Sequence, residues 1–275
     1  MKHILYGVFI TLVLFACKSK TKETVVDSLV ISEVDSTSLL IQKFKPIIQG
    51  AWVKSDYIKK VIVTSSPFAA ADKATGITYI EIDTANIKGE RLVAGVSYNN
   101  HEGGEIIIKF IKGETPETIQ ADSAELGYSV ENGDTVLTLT EVNDAHDKVT
   151  TRYIRALNKP GKKTGNGMDY LINKNLFAGS YAMTDTIGKV RQVILTENGQ
   201  ITGITGFRTY YAMNDFIAGP MNNLDLLIFN LYAKDQKDYA FKISGNTLKL
   251  FDTEPTPDSS ALITGKLIYT LIRNK

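Results

Sequence analysis

The chain has a single cysteine in 275 residues, Cys17, so it can form no internal disulfide and holds no Cys-x-x-Cys zinc or redox pair. Nor does one charge dominate: 31 Lys and Arg face 30 Asp and Glu. A balanced chain lacks the basic footprint that phosphate-backbone binding requires, so no nucleic-acid partner is expected. Long apolar runs are missing too. The stretch Ile4–Phe15 has twelve residues, short of the about 20 that a helix needs to cross a bilayer. There is no phosphate-binding glycine loop: Gly203-Ile204-Thr205-Gly206 has the wrong spacing and lies among expected strands with no helix after it. Catalytic groups are sparse. His101 (in N-N-H-E-G-G) and His146 (in D-A-H-D) both read as exposed hairpin tips. Asp144, His146 and Asp147 have ligating side chains, but loop residues at this spacing ordinarily face water, so no metal or other cofactor is expected. Ser65-Ser66 has no base that can be placed beside it, and no pair of carboxylates stands out as an acid/base couple. An enzyme is therefore not the expectation.

What is present begins at the N-terminus. Lys2 precedes the short apolar run, and Ala16 closes it, the layout of a secretory signal peptide. Leu14-Phe15-Ala16-Cys17 resembles the bacterial lipobox. The resemblance implies that residues 1–16 are removed and Cys17 is lipidated, holding the protein to a membrane. A signal peptide with an incidental cysteine is the alternative. Lipidation also consumes the only thiol, which removes a cysteine nucleophile. Lys18, Lys20 and Lys22 follow at once and are suited to anionic headgroups, at about 1 kcal/mol each near such a surface.

Residues 17–45 read as a tether, polar and without a sustained period, with a short helix possible over Ser36–Phe44 before Pro46. The rest reads as all-β. Eight strand candidates fall at 51–55, 78–84, 91–99, 104–112, 117–123, 127–132, 135–142 and 149–157. Within them Ile106, Ile108 and Phe110 share one face, as do Leu137 and Leu139. Asn132-Gly133 marks a hairpin turn. Residues 159–173 read as a linker, with the Gly- and Lys-rich N-K-P-G-K-K-T-G-N-G-M-D at its core. Eight further candidates follow at 179–184, 190–196, 200–204, 208–214, 224–232, 237–244, 247–254 and 265–273. Two modules of similar size, 46–158 and 174–275, suggest two copies of one plan.

The ends of the modules carry a resemblance. Gly50-Ala51-Trp52 opens the first and Arg155 lies on its last strand; Gly179-Ser180-Tyr181 and Arg273 take the same places in the second. A Gly-x-Trp on the first strand with an arginine on the last resembles the lipocalin and fatty-acid-binding barrel superfamily. Tyr181 departs from the pattern but keeps an aromatic face. The resemblance implies two tandem eight-stranded antiparallel up-and-down barrels, with Arg155 over Trp52 and Arg273 over Tyr181 as structural closures. With the lipobox, the layout is similar to lipocalin-like lipoproteins of Bacteroidota, which implies an outer-membrane protein. The basic residues after Cys17 favour the periplasmic face. Fatty-acid-binding barrels place helices after the first strand as a lid, which would put Tyr57, Ile58 and Val61 at a cavity mouth. In the second module, Phe216, Ile217 and Met221 either flank a mouth or pack on the barrel end, with packing the favoured reading. The function expected is binding of a small apolar or amphipathic ligand inside a barrel. The alternative is a scaffold with filled barrels that binds another envelope protein. Cavity volume discriminates the two.

Overall fold

The computed structural model describes residues 33–161, 165–184, 188–217 and 220–274. Cys17, its lipobox, the basic run and the tether up to residue 32 lie outside the described residues.

All eight strands expected in the first module form. They are β1 (Gly50–Lys54), β2 (Ile77–Ile82), β3 (Arg91–Tyr98), β4 (Glu102–Lys112), β5 (Ile119–Ala121), β6 (Ala124–Glu131), β7 (Asp134–Val142) and β8 (Lys148–Leu157). Each pairs antiparallel with the next, and β1 pairs with β8 through Trp52 and Arg155, so the sheet is a closed barrel with no free edge. The alternation predicted for β4 and β7 is seen: Ile106, Ile108, Phe110, Leu137 and Leu139 are all buried in the interior. Gly50 makes the seam possible. It takes φ of +124°, and a Cβ there would stand 2.3 Å from the Leu157 carbonyl oxygen.

The tether ends earlier than expected. Residues 33–48 form a helix, α1 (Glu33–Ile48), which runs two residues past Pro46. Its Leu40, Ile41, Phe44 and Ile48 form one apolar stripe at i, i+1, i+4 and i+8. Phe44 and Ile48 are fully buried among Trp52, Leu126 and the other interior side chains, so α1 plugs the barrel. Burial of those two side chains, at roughly 1.5–3 kcal/mol each, outweighs the single backbone bond lost at Pro46.

The second module also has its eight strands: β9 (Gly179–Thr184), β10 (Val190–Leu195), β11 (Ile201–Thr202), β12 (Tyr210–Ala212), β13 (Leu226–Phe229), β14 (Lys237–Ser244), β15 (Thr247–Pro255) and β16 (Leu262–Arg273). They form one antiparallel sheet in the order β11-β10-β9-β16-β15-β14-β13-β12. The sheet is not closed, contrary to the expectation of a second barrel. Its edge strands are only two and three residues long. A single isolated bridge, Gln200 to Thr209, spans the seam between them. The bridge rests on two backbone bonds, Ile201 N–H to the Arg208 carbonyl and Tyr210 N–H to the Gly199 carbonyl.

The expected linker is not a linker throughout. Residues 166–172 form a helix, α2 (Asn166–Ile172), continued by a π turn over Asn173–Phe177. Its Met168, Leu171 and Ile172 pack against Ala51, Val53 and Tyr79 on the outer wall of the barrel. β1 is therefore buried on both faces, Trp52 inward and Ala51 and Val53 toward α2. The approach is close: a Cβ on Gly167 would sit 2.9 Å from Tyr79, 3.0 Å from Ala51 and 3.1 Å from Ala156. Gly167→Ala should therefore cost about 1–3 kcal/mol through forced displacement of α2. Urea unfolding measures it, and an unchanged midpoint would show that the two modules are not seated this tightly.

The helix after β1 (Ser55–Thr64) is not a lid on the barrel. Its Tyr57, Ile58 and Val61 are fully buried, but they belong to the apolar cluster shared with α2 and the second module, not to the barrel interior. The helix leaves β1 at the end opposite α1 and folds outward against the neighbouring module. Lys54 stands at the cap position and makes no capping bond, while Asp56 in the first turn accepts from the Tyr57 N–H at 2.8 Å.

Candidate functional site

The closure residues make the same network twice. Trp52 Nε1 donates to the Ile48 carbonyl at 2.8 Å. The Arg155 guanidinium lies 4.5 Å from the indole centroid, and its Nη2 donates to the Ile47 carbonyl. In the second module the Tyr181 hydroxyl donates to the Phe177 carbonyl. Arg273 Nη2 donates to the Leu176 carbonyl and to the Tyr181 oxygen, each at 2.8 Å, with its guanidinium 5.3 Å from the ring. Each aromatic group thus reaches the carbonyl four residues back, and each arginine the carbonyl one residue earlier. Those carbonyls end the helical segment that plugs the module, through Ile48 in one and Phe177 in the other. The pairs Ile47-Ile48 and Leu176-Phe177, two residues before each glycine, were the sequence signal for this, alongside Gly-x-aromatic. Burial lowers the Arg155 pKa and raises that of Tyr181, the latter opposed by the adjacent Arg273. Trp52 and Tyr181 are buried in these networks, and the two arginines are half-buried.

The interior of the first barrel is filled by Phe44, Ile48, Trp52, Phe110, Leu126 and Tyr153, each almost without exposed surface. Phe216 makes an edge-to-face contact with Phe68 at 5.3 Å, which bridges the two modules. Ile217 is exposed, and the Met221 N–H donates to the Ser260 carbonyl. Among the described residues no group of three His, Cys, Asp or Glu side chains converges as a metal site, so Asp144, His146 and Asp147 do not come together as ligands.

The structure draws attention to a different place, the joint. The β3–β4 turn, expected to be a free tip, docks on the second module. Asn99 and Asn100 both take positive φ there, a backbone state that asparagine tolerates well. Asn100 Nδ2 donates to the Asn214 carbonyl at 3.0 Å, and His101 Nδ1 lies 2.7 Å from Asp215 Oδ2. Farther along the joint, Asp225 accepts from Ser66 Oγ and from the Phe68 N–H. Beside the Asn100 and His101 contacts lies a cleft of about 280 Å³. Tyr79, Asn100 and His101 line it from the barrel, Asp169 from α2, and Tyr211 and Asn214 from the second sheet.

Its electrostatics are unusual. The Asp169 carboxylate is surrounded by protein, and its Oδ1 accepts one bond, from Asn214 Nδ2 at 3.1 Å. Burial pushes its pKa up to about 6, with the Asn214 bond opposing, and no cation contributes. Burial likewise raises the pKa of Tyr79 and Tyr211. His101 is raised by its hydrogen bond and charge pairing with Asp215. One buried polar atom of the lining, Asn100 Oδ1, has no partner. Tyr57 is not part of the lining, and its hydroxyl is in hydrogen-bond contact with the Asn100 side chain. A wider groove of about 910 Å³ between α1 and the barrel rim, lined in part by Leu40, Ile41 and Ile111, holds no such unpartnered atom.

The sequence matches no protein-family model and no curated protein.

Proposed function

We propose that this is a lipid-anchored binding protein of the cell envelope, without catalysis, that takes a small ligand at the joint of its modules. The observation that carries the reading is the contrast between a barrel filled by its own side chains and a cleft walled by the buried, cation-free Asp169 carboxylate and the unpartnered Asn100 Oδ1. A buried donor or acceptor without a partner costs about 1–3 kcal/mol, so such atoms in an accessible cleft are suited to a ligand that completes them. The anchor rests on Leu14-Phe15-Ala16-Cys17, and the basic residues after Cys17 favour the periplasmic face of an outer membrane. The repeated closure network also supports kinship with the lipocalin-like lipoproteins of Bacteroidota. On that view the second module is the same barrel opened at its β11–β12 seam.

The filled interior favours a second reading as well, a scaffold that binds another envelope protein on its outer surface. Native mass spectrometry of the protein purified from its own envelope separates the two. A co-purifying small molecule supports the first. A clean apo mass with one reproducible protein partner supports the second and sinks the first. Cys17→Ala should move the protein from the membrane to the soluble fraction; retention in the membrane would overturn the anchor.

A further inference from the structure

We infer that the cleft at the joint binds a small organic cation, a molecule headed by an ammonium or guanidinium group. The inference rests on the binding-protein reading above and assigns the ligand's chemistry. The groups that face the cleft without partners are acceptors or can act as acceptors. Asn100 spends its amide donor on the Asn214 carbonyl, which fixes the flip of the side chain and leaves Oδ1 unpaired. Asp169 uses one oxygen for Asn214, and no Lys, Arg or His pairs with it among the described residues.

An ammonium brings three donors and no acceptor, and a guanidinium brings five donors. Either complements this set, whereas an anion meets an uncompensated carboxylate. A neutral donor would satisfy the hydrogen bonds and leave the charge of Asp169 unanswered. Tyr79 and Tyr211 add aromatic rings to the wall, and such faces attract cations. His101 does not cancel the carboxylate, because Asp215 already pairs with it. The volume, about 280 Å³, equals about nine waters at about 30 Å³ each. That limits the ligand to a small molecule or to the end of a side chain. A metal ion is a poorer fit, since no three ligating side chains converge among the described residues.

The test uses the full-length lipidated chain in detergent and isothermal titration calorimetry. The probes are n-butylammonium and butylguanidinium, with butyrate, 1-butanol and potassium chloride as controls. N-acetyl-lysine amide is a further arm that presents the same ammonium as a protein side chain would. Saturable binding of either organic cation, with none of the controls, is expected. Asp169→Asn should weaken it at least tenfold. Equal affinity for N-acetyl-lysine amide would identify a partner's lysine as the source of the cation; binding of the free amines alone would identify a metabolite. Binding that Asp169→Asn leaves unchanged, or that butanol or potassium matches, overturns the inference. If a neutral or anionic small molecule co-purifies from the envelope, this inference falls and the binding-protein reading stands. If the envelope sample is apo with a protein partner, it is the reading that falls.

Discussion

Trp52→Ala should destabilise the protein by about 3–5 kcal/mol, the range for removing a buried tryptophan. Three losses combine. The indole fills the barrel interior beside Phe44 and Ile48. Its Nε1 satisfies the Ile48 carbonyl at 2.8 Å, and its face carries Arg155 at 4.5 Å. Removing it frees both the helix plug and the β1–β8 seam. Arg155→Met, which keeps the aliphatic stem, should cost less, about 1–3 kcal/mol, chiefly by leaving the Ile47 carbonyl unpaired. The double-mutant cycle should show a coupling of about 0.5–2 kcal/mol for the cation over the ring. Urea unfolding followed by circular dichroism gives all three values. Since Trp52 is the only tryptophan, its fluorescence also reports directly on this seam in the Arg155 variant. A loss below about 1 kcal/mol for Trp52→Ala, or no coupling to Arg155, would show that closure does not depend on this pair.

The opposite sign is expected for Asp169→Asn. The folded state raises the pKa of this carboxyl from 3.8 to about 6. Between those values the folded protein holds a proton that the unfolded chain has lost, so stability falls as pH rises through that window and is flat above it. At neutral pH the charged carboxylate therefore opposes folding. At about 1.36 kcal/mol per unit, and allowing for its partial access to the cleft, replacement by asparagine should stabilise the protein by about 1–3 kcal/mol at pH 7. The gain should vanish at pH 4. Asn214 can still donate to the new amide oxygen, so the local geometry is kept. Denaturant melts of both proteins at pH 4, 5, 6 and 7 decide the matter. A variant that is equally destabilised at every pH would mean that Asp169 is a structural anchor. A fold that keeps an unpaired buried charge at a cost to stability matches the trade expected at a binding site. A cationic ligand should shrink the advantage of the asparagine variant, since it stabilises only the wild type.

Much of the architecture was legible in the residues. The alternation of Ile106, Ile108 and Phe110, the turn at Asn132-Gly133 and the β-branched runs located all sixteen strands within a few residues. That is because strand period and turn chemistry are local properties. The stripe Leu40, Ile41, Phe44 and Ile48 was equally present, but Pro46 and the polar residues around it argued for a tether. Only the barrel end it plugs explains why the helix persists. Tyr57, Ile58 and Val61 were correctly placed on one helix face, but that face was assigned to the wrong partner. The candidate site was hardly legible. Asn100, His101, Asp169 and Asn214 sit in three separate stretches that read as turns and linker, and none belongs to a motif.

The sequence by itself determined two runs of eight strands and a Gly-x-aromatic with a distant arginine in each. Tertiary structure decided what covers each apolar face. It closed one sheet and left the other open, with β11 and β12 meeting only through the single bridge of Gln200 to Thr209. It turned an expected linker into the helix that welds the modules, because Gly167 allows the backbone to lie against the barrel wall. It also built the joint, whose contacts link residues 114 positions apart at Asn100–Asn214 and 159 apart at Ser66–Asp225. Periodicity states which side of an element is apolar; only the packed chain states what that side meets.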